Sequence, residues 1–313
     1  MKQTFLFILT VISVRSYSQT TTSDSLSKRL SQPLTTAAPL LGGVNVSYLV
    51  SAPGTDNNTF TMNQAVVDVS TPIYRAMKTK HPLFIKTGLR YQGLYLNGEK
   101  QIGIDNFHSF TIPVFMTYVF NRNTNLTVLA NAGVGSDFRG DLNAEDIYYT
   151  AGMRFGFRQS KNFRIGVTLI YSKSYAGTNL LPLPDIDWTI SKHWRLEAFI
   201  PFRTSLKYKF NEHQTLAFTQ GFQTGNFRVH DYTGTGKYLQ LQGVTTGLMY
   251  DHTFNRRWNI YLIAGMAVSQ KLQTFTNDQQ LGLNQFSKMN DRIPTVSYEK
   301  GGIVGQAGIN YKF

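Results

Sequence analysis

The chain contains no cysteine. Disulfide staples, thiolate chemistry and amino-terminal lipidation at a cysteine are therefore all excluded. It is also poor in charge: 16% of its 313 residues are Asp, Glu, Lys or Arg, against 42% hydrophobic and 13% aromatic. That balance lacks the Lys and Glu that coat a soluble surface. No run of about eighteen apolar residues occurs and mean hydropathy is slightly negative, so a helical membrane protein is not expected. Signature motifs are missing too. There is no G-x-S-x-G elbow, no phosphate-cradling Gly-Lys-Ser/Thr loop and no H-E-x-x-H pattern. The six histidines, at positions 81, 108, 193, 213, 230 and 252, lack metal-ligand spacing. His230-Asp231 and Asp251-His252 are adjacent pairs, and strand neighbours point to opposite faces, so neither makes a dyad. The expectation is no enzyme, no cofactor and no metal.

What is present is alternation. In Ile303 to Phe313 the residues Ile303, Gly305, Ala307, Ile309, Tyr311 and Phe313 share one face, and Gln306, Gly308, Asn310 and Lys312 the other, with Val304 the one misfit. A two-residue period is a strand. About eleven residues at roughly 3.3 Å each, tilted near 45°, give a height of about 25 Å, the apolar band of a membrane barrel. The same pattern recurs from Val44 onward. Phe110, Ile112, Val114, Met116, Tyr118 and Phe120 form one such set, and Phe163, Ile165, Val167, Leu169 and Tyr171 another, opposite Gly, Thr, Asn and Arg. Turns alternate in length, short near Asn121, Ser160, Lys192, Glu212 and Asn255. Longer ones are expected near Asn57, Gly98, Asp141, Thr178, His230 and over Lys271 to Gly301. Aromatic residues at strand ends suit two interfacial girdles.

The amino-terminus reads as an export signal. Lys2 supplies the positive end, Thr4 to Val14 the apolar segment, and Ser16-Tyr17-Ser18 the small residues before cleavage near Ser18. The division expected is a signal peptide over 1–18, a periplasmic tail or short plug over 19–42, and a barrel over 43–313. The fold class expected is all-β: a single antiparallel, up-and-down transmembrane β-barrel of about fourteen strands, with twelve and sixteen as alternatives.

With these features the chain resembles Gram-negative outer-membrane β-barrel proteins, and most of all an uncharacterised family of exported barrels. The residues that carry the resemblance are Ile303 to Phe313 and the stretch Leu181 to Phe210 with its Leu-Pro-Leu-Pro start. The resemblance implies a place in the outer membrane, in contact with its lipid. It also implies that Ile309, Tyr311 and Phe313 act as a signal for the barrel-assembly machinery.

The polar face carries the functional expectation. If the apolar set meets lipid, then Lys86, Arg90, Arg154, Arg158, Arg164, Arg195, Glu197, Lys207 and Lys209 line the lumen, and bases outnumber acids. A charge inside a low-dielectric wall must be paired or solvated. The expected function is a passive channel or binding site for a small anionic solute. The competing reading is a structural or surface-interaction barrel whose lumen is filled by its own side chains. Formal charge is +13 and falls slightly as Lys2 and Arg15 leave with the signal. With an export signal, nucleic acid is not an expected partner.

Overall fold

The computed structural model describes residues 42–52, 60–76, 80–142, 146–230, 236–255, 257–283, 291–299 and 301–313. The expected signal peptide and the tail before Gly42 lie outside the described residues.

Among the described residues fifteen strands follow one another: β1 (Gly43–Ser51), β2 (Thr61–Ala76), β3 (Leu83–Asn97), β4 (Asn106–Val119), β5 (Thr124–Ser136), β6 (Ile147–Arg158), β7 (Phe163–Ser174), β8 (Gly177–Thr189), β9 (Trp194–Phe199), β10 (Arg203–Lys209), β11 (Gln214–Val229), β12 (Lys237–Phe254), β13 (Trp258–Thr276), β14 (Val296–Glu299) and β15 (Gly302–Lys312). From β1 to β13 each pairs with its sequence neighbour. β15 then inserts between β13 and β1, in register from Trp258↔Tyr311 to Ala267↔Gly302 on one side and from Gly43↔Lys312 to Ser51↔Val304 on the other. That double pairing closes the sheet. β14 pairs only with Lys271–Thr274 of β13, so the wall itself has fourteen strands, all antiparallel to their neighbours. An even count returns β1 and β15 to the same rim, where the connections at 120–123, 159–162, 190–193 and 210–213 are tight.

The alternation reads directly onto the two faces. Ile112, Val167 and Leu262 are each more than half exposed on the outer face, whereas Asn45 and Thr168 are 1% exposed on the inner one. Apolar residues outward and polar residues inward is the inverse of a soluble sheet, and it places the solvent for the outer face in lipid. The aromatic ends also pack: Trp258 and Tyr311 lie 4.5 Å apart by ring centroid, and Tyr118 and Phe120 4.9 Å.

One long loop expected from sequence is not there. β7 and β8 are joined by Tyr175-Ala176 alone, where a longer loop near Thr178 was expected. The Lys271 to Gly301 region is not a simple loop either. β13 continues through Thr276 as a ribbon with β14 above the rim. The polar Gln, Asn and Thr residues that hid this extension sit where the strand has left the lipid band.

At the long-loop end the inner face turns apolar. Phe60, Met62, Leu94, Leu96, Ile104, Phe107, Phe227, Val229, Leu239, Leu241, Leu272 and Tyr298 form one buried cluster across β2, β3, β4, β11, β12, β13 and β14. β11 also bends inward at its end, where Arg228 makes a parallel bridge to Ser136 of β5.

Candidate functional site: the lumen

The inner faces of β6 to β10 carry a continuous ladder of ion pairs. Arg154 spans from β6 to Asp185 of β8, with Nε and Nη2 donating to the two carboxylate oxygens at 2.8 and 2.6 Å. Asp187 accepts from Arg195 at 2.9 and 3.0 Å and faces Arg164 at 3.8 Å. Glu197 then joins Arg195 at 3.2 Å to Lys207 at 2.6 Å. The ladder exists because these charges fall on alternate, inward-facing positions of the five successive strands β6 to β10, so each carboxylate has a cation within reach on a nearby strand. Its three carboxylates offset all but one of its four cations, and the ladder occupies this half of the lumen. A charge left alone here is costly; a pair with satisfied hydrogen bonds is tolerated.

The remaining residues expected along the lumen take different places. Lys86 is buried on the inner face, its ammonium 4.8 Å from the centre of the Phe115 ring. Arg90 lies 3.6 Å from Asp68, which also accepts a hydrogen bond from Asn45 at 3.3 Å. Arg158 donates to the carbonyls of Ser160 and Lys161 in the tight turn, at 3.0 and 3.2 Å. Lys209 is exposed as the last residue of β10. These last two stand at the tight-turn rim, one turn outside the ladder. Ile309, Tyr311 and Phe313 lie on the outer face at β15, Ile309 and Phe313 exposed and Tyr311 packed at a tilt against Trp258.

The other half of the lumen is a cavity of ≈ 500 Å³ lined by β1, β2, β3, β10, β11, β12, β13 and β15. Its charged lining is Arg90, Arg203, Lys207 and Asp251. Asp251 accepts a hydrogen bond from Asn259 at 2.7 Å, and Lys207 is the end of the ladder. Arg203 makes no ion pair within 4.0 Å among the described residues. The alternation in sequence begins only at Leu206, so Arg203, two residues after Pro201, falls outside it. The register Arg203↔Gly221 and Arg203↔Phe199 now places it in β10, on the same inner face as Lys207.

Histidines serve the rim. The Nδ1 atoms of His81, His193 and His213 lie 3.0, 2.8 and 3.0 Å from the carbonyls of Phe120, Lys209 and Thr253, so each ring donates from Nδ1 to the end of a neighbouring strand. His252 packs outward against Phe254 while Asp251 points inward. Among the described residues no three His, Asp or Glu side chains converge as metal ligands.

At the opposite end two buried polar contacts hold the closure. Glu99 accepts from the backbone of Gln101, Ile102 and Gly103 and from the Tyr298 hydroxyl at 2.5 Å. The Tyr175 hydroxyl donates to the Asp146 carbonyl and accepts from the Gly135 N–H at 3.2 Å, and Arg228 reaches the Asp146 carboxylate at 2.8 Å. Burial pushes the Tyr175 hydroxyl up to about 12.

A family model described as "Domain of unknown function (DUF6268)" matches residues 54–312, almost the whole of the closed sheet. The chain belongs to this family. No curated protein matches it. Among solved structures it is similar to the COG4313 outer membrane channel from Pseudomonas putida F1, at 10% identity and a TM-score of 0.45 over 90% of this chain and 99% of that one. It is also similar to the toluene transporter TodX of P. putida, at 8% identity and 0.37 over 87% and 89%, and to the KdgM porin, at 7% and 0.33 over 86% and 99%.

Proposed function

We propose that this barrel sits in a Gram-negative outer membrane and admits a small anionic solute to its lumen from the tight-turn rim. Supporting this reading is one observation above the others: three cations, Arg90, Arg203 and Lys207, line a ≈ 500 Å³ cavity against a single carboxylate, Asp251, and Arg203 is uncommitted. A guanidinium in a walled, partly dry space attracts an anion far more than it would in water. The lumen-lining role extends to Lys86 and Arg195, which set the potential without facing the solute directly. Arg154 and Arg164 act as partners in the ladder, while Arg158 and Lys209 act as a basic collar at the mouth. Insertion would run through the barrel-assembly machinery, with the outer face of β15 as the recognised end. No reaction is assigned to the chain.

The competing reading, a filled barrel without passage, draws on the ladder and the apolar cluster. Together they flank the cavity. Planar-bilayer conductance and calorimetric titration of purified barrel with a small anion test the proposal. Anion preference that falls in Arg203→Gln supports it; cation preference, or neither conductance nor binding, would sink it.

A further inference from the structure

The cavity holds more than its cations. Five carboxamide side chains stand on its wall: Gln64 of β2, Gln92 of β3, Gln223 of β11, and Gln306 and Asn310 of β15. Three of them carry polar atoms without a partner. Gln64 is 6% exposed, yet its Nε2 donates to nothing, and Gln223 Oε1 and Asn310 Oδ1 accept nothing among the described residues. A buried donor or acceptor left unmet destabilises a fold. Set around one cavity, these atoms leave a donor and two acceptors for a ligand to meet.

The amides are interleaved with apolar side chains. Leu49 pairs with Gln64 on β2 and with Gln306 on β15, and Gln306 pairs in turn with Ile263 on β13. Val66 pairs with Gln92 on β3. So Leu49, Val66 and Ile263, all three on the cavity wall, each have an amide directly opposite on a neighbouring strand. An alkyl chain laid along this wall would leave the amides unmet, and a monatomic anion held at a cation would not reach them. A hydroxyl both donates and accepts, as a carboxamide does. A carbon chain with a hydroxyl on each carbon therefore suits both members of the pattern, with its C–H edges on the apolar side chains and its hydroxyls on the amides.

The cations stand one step from the amides. On β3 Arg90 is one inward position from Gln92, on the side of the tight-turn rim, and Arg203 pairs with Gly221, one inward position from Gln223 on β11. Two residues at about 3.3 Å each separate charge from amide by roughly 6–7 Å along the strand. Arg90 already faces Asp68, which leaves Arg203 for the ligand. We propose that the ligand is a polyhydroxylated carboxylate of about six carbons, a sugar acid, with its carboxylate at Arg203 and its hydroxyls on the amides. This deepens the anion-binding reading and rests on it.

The test is calorimetric titration of the barrel in phosphatidylcholine nanodiscs with gluconate and hexanoate, carboxylates of equal carbon number, corrected for empty nanodiscs. Gluconate should bind about tenfold tighter or more, because a site lined by hydrogen-bonding groups rejects the analogue that leaves them unmet. Arg203→Gln should weaken gluconate binding. Gln64→Leu and Gln223→Leu should each bring the gluconate-to-hexanoate ratio toward one in barrels that retain heat-modifiable migration. Gln223 is only half-buried, so its variant keeps the test open if Gln64→Leu does not assemble. If hexanoate binds as tightly as gluconate, or if the Leu variants leave the ratio unchanged, the sugar-acid assignment is overturned while the anion cavity stands. If neither carboxylate binds, both readings fall.

Discussion

Arg154 and Asp185 form a two-pronged pair, 2.6 and 2.8 Å, that skips a strand: one belongs to β6, the other to β8, and β7 runs between them. The crossing is possible because the intervening residue is Gly166. A Cβ there would lie 2.4 Å from the Asp185 carboxylate and 2.7 Å from the Arg154 guanidinium. Both partners are about nine-tenths buried. Removing one leaves the other charged and alone, at a cost of about 3–5 kcal/mol. Asp185→Ala and Arg154→Ala should therefore each lower the urea midpoint sharply, and the double change Arg154→Met with Asp185→Leu should lower it less than either. Gly166→Ala should resemble the single losses. A double variant no better than the singles would show that the pair is not the source of the effect.

The apolar cluster at the long-loop end acts as the stopper of the lumen. Phe107 and Phe227 are both 1% exposed or less and pack with centroids 5.6 Å apart. Truncating a large buried aromatic costs about 3–5 kcal/mol in a soluble core. Phe107→Ala should destabilise the barrel on that scale and, through the void, raise single-channel conductance above wild type. Lowered stability with unchanged conductance would mean that another segment closes this end.

Alkali should loosen the same end through one residue. Tyr175 titrates in an unfolded chain near about 10 and in the fold at about 12, raised by burial. A raised folded value means the neutral hydroxyl contributes stability that is whole below pH about 10 and is lost as pH rises through about 12. Hydrogen exchange at Gly135, whose N–H bonds to the Tyr175 hydroxyl, should accelerate across that window beyond its intrinsic base dependence. In Tyr175→Phe the extra acceleration should vanish, with protection reduced at neutral pH.

The sequence carried the wall well and the interior poorly. Strands such as Phe110 to Phe120 keep one apolar face because lipid wets that face along its whole length, so the period is clean. Leu94-Tyr95-Leu96 and Leu239 with Leu241 break the period because the lumen itself becomes apolar at the stopper, and an inward Leu is indistinguishable from an outward one in a single sequence. Val304 is the same effect in miniature: the misfit of β15 packs inward on Leu49 and Ala267. The charges of the ladder were legible as a face, but their pairing was not, because Arg154–Asp185 depends on a glycine on the strand between them. The prolines of β8 were visible as a motif.

The closing strand offers the last prediction. β15 is paired along both edges, and its outer face is wetted by lipid at Ile303, Ile309 and Phe313. A carboxylate on that face loses both its packing and its hydration. Its penalty should stay below the about 2–4 kcal/mol of a midplane Arg or Lys, yet it falls on the strand that must pair last. Ile309→Asp with Tyr311→Asp should therefore abolish the heat-modifiable band, and deletion of Phe313 should reduce its yield. On the inner face the outcomes should diverge. Lys312→Gln should assemble normally. Asn310→Ala should assemble but lose stability, because the Asn310 amide donates to Asn259 at 3.0 Å inside the wall. Normal assembly of the double aspartate variant would mean that the outer face of β15 is not committed to lipid.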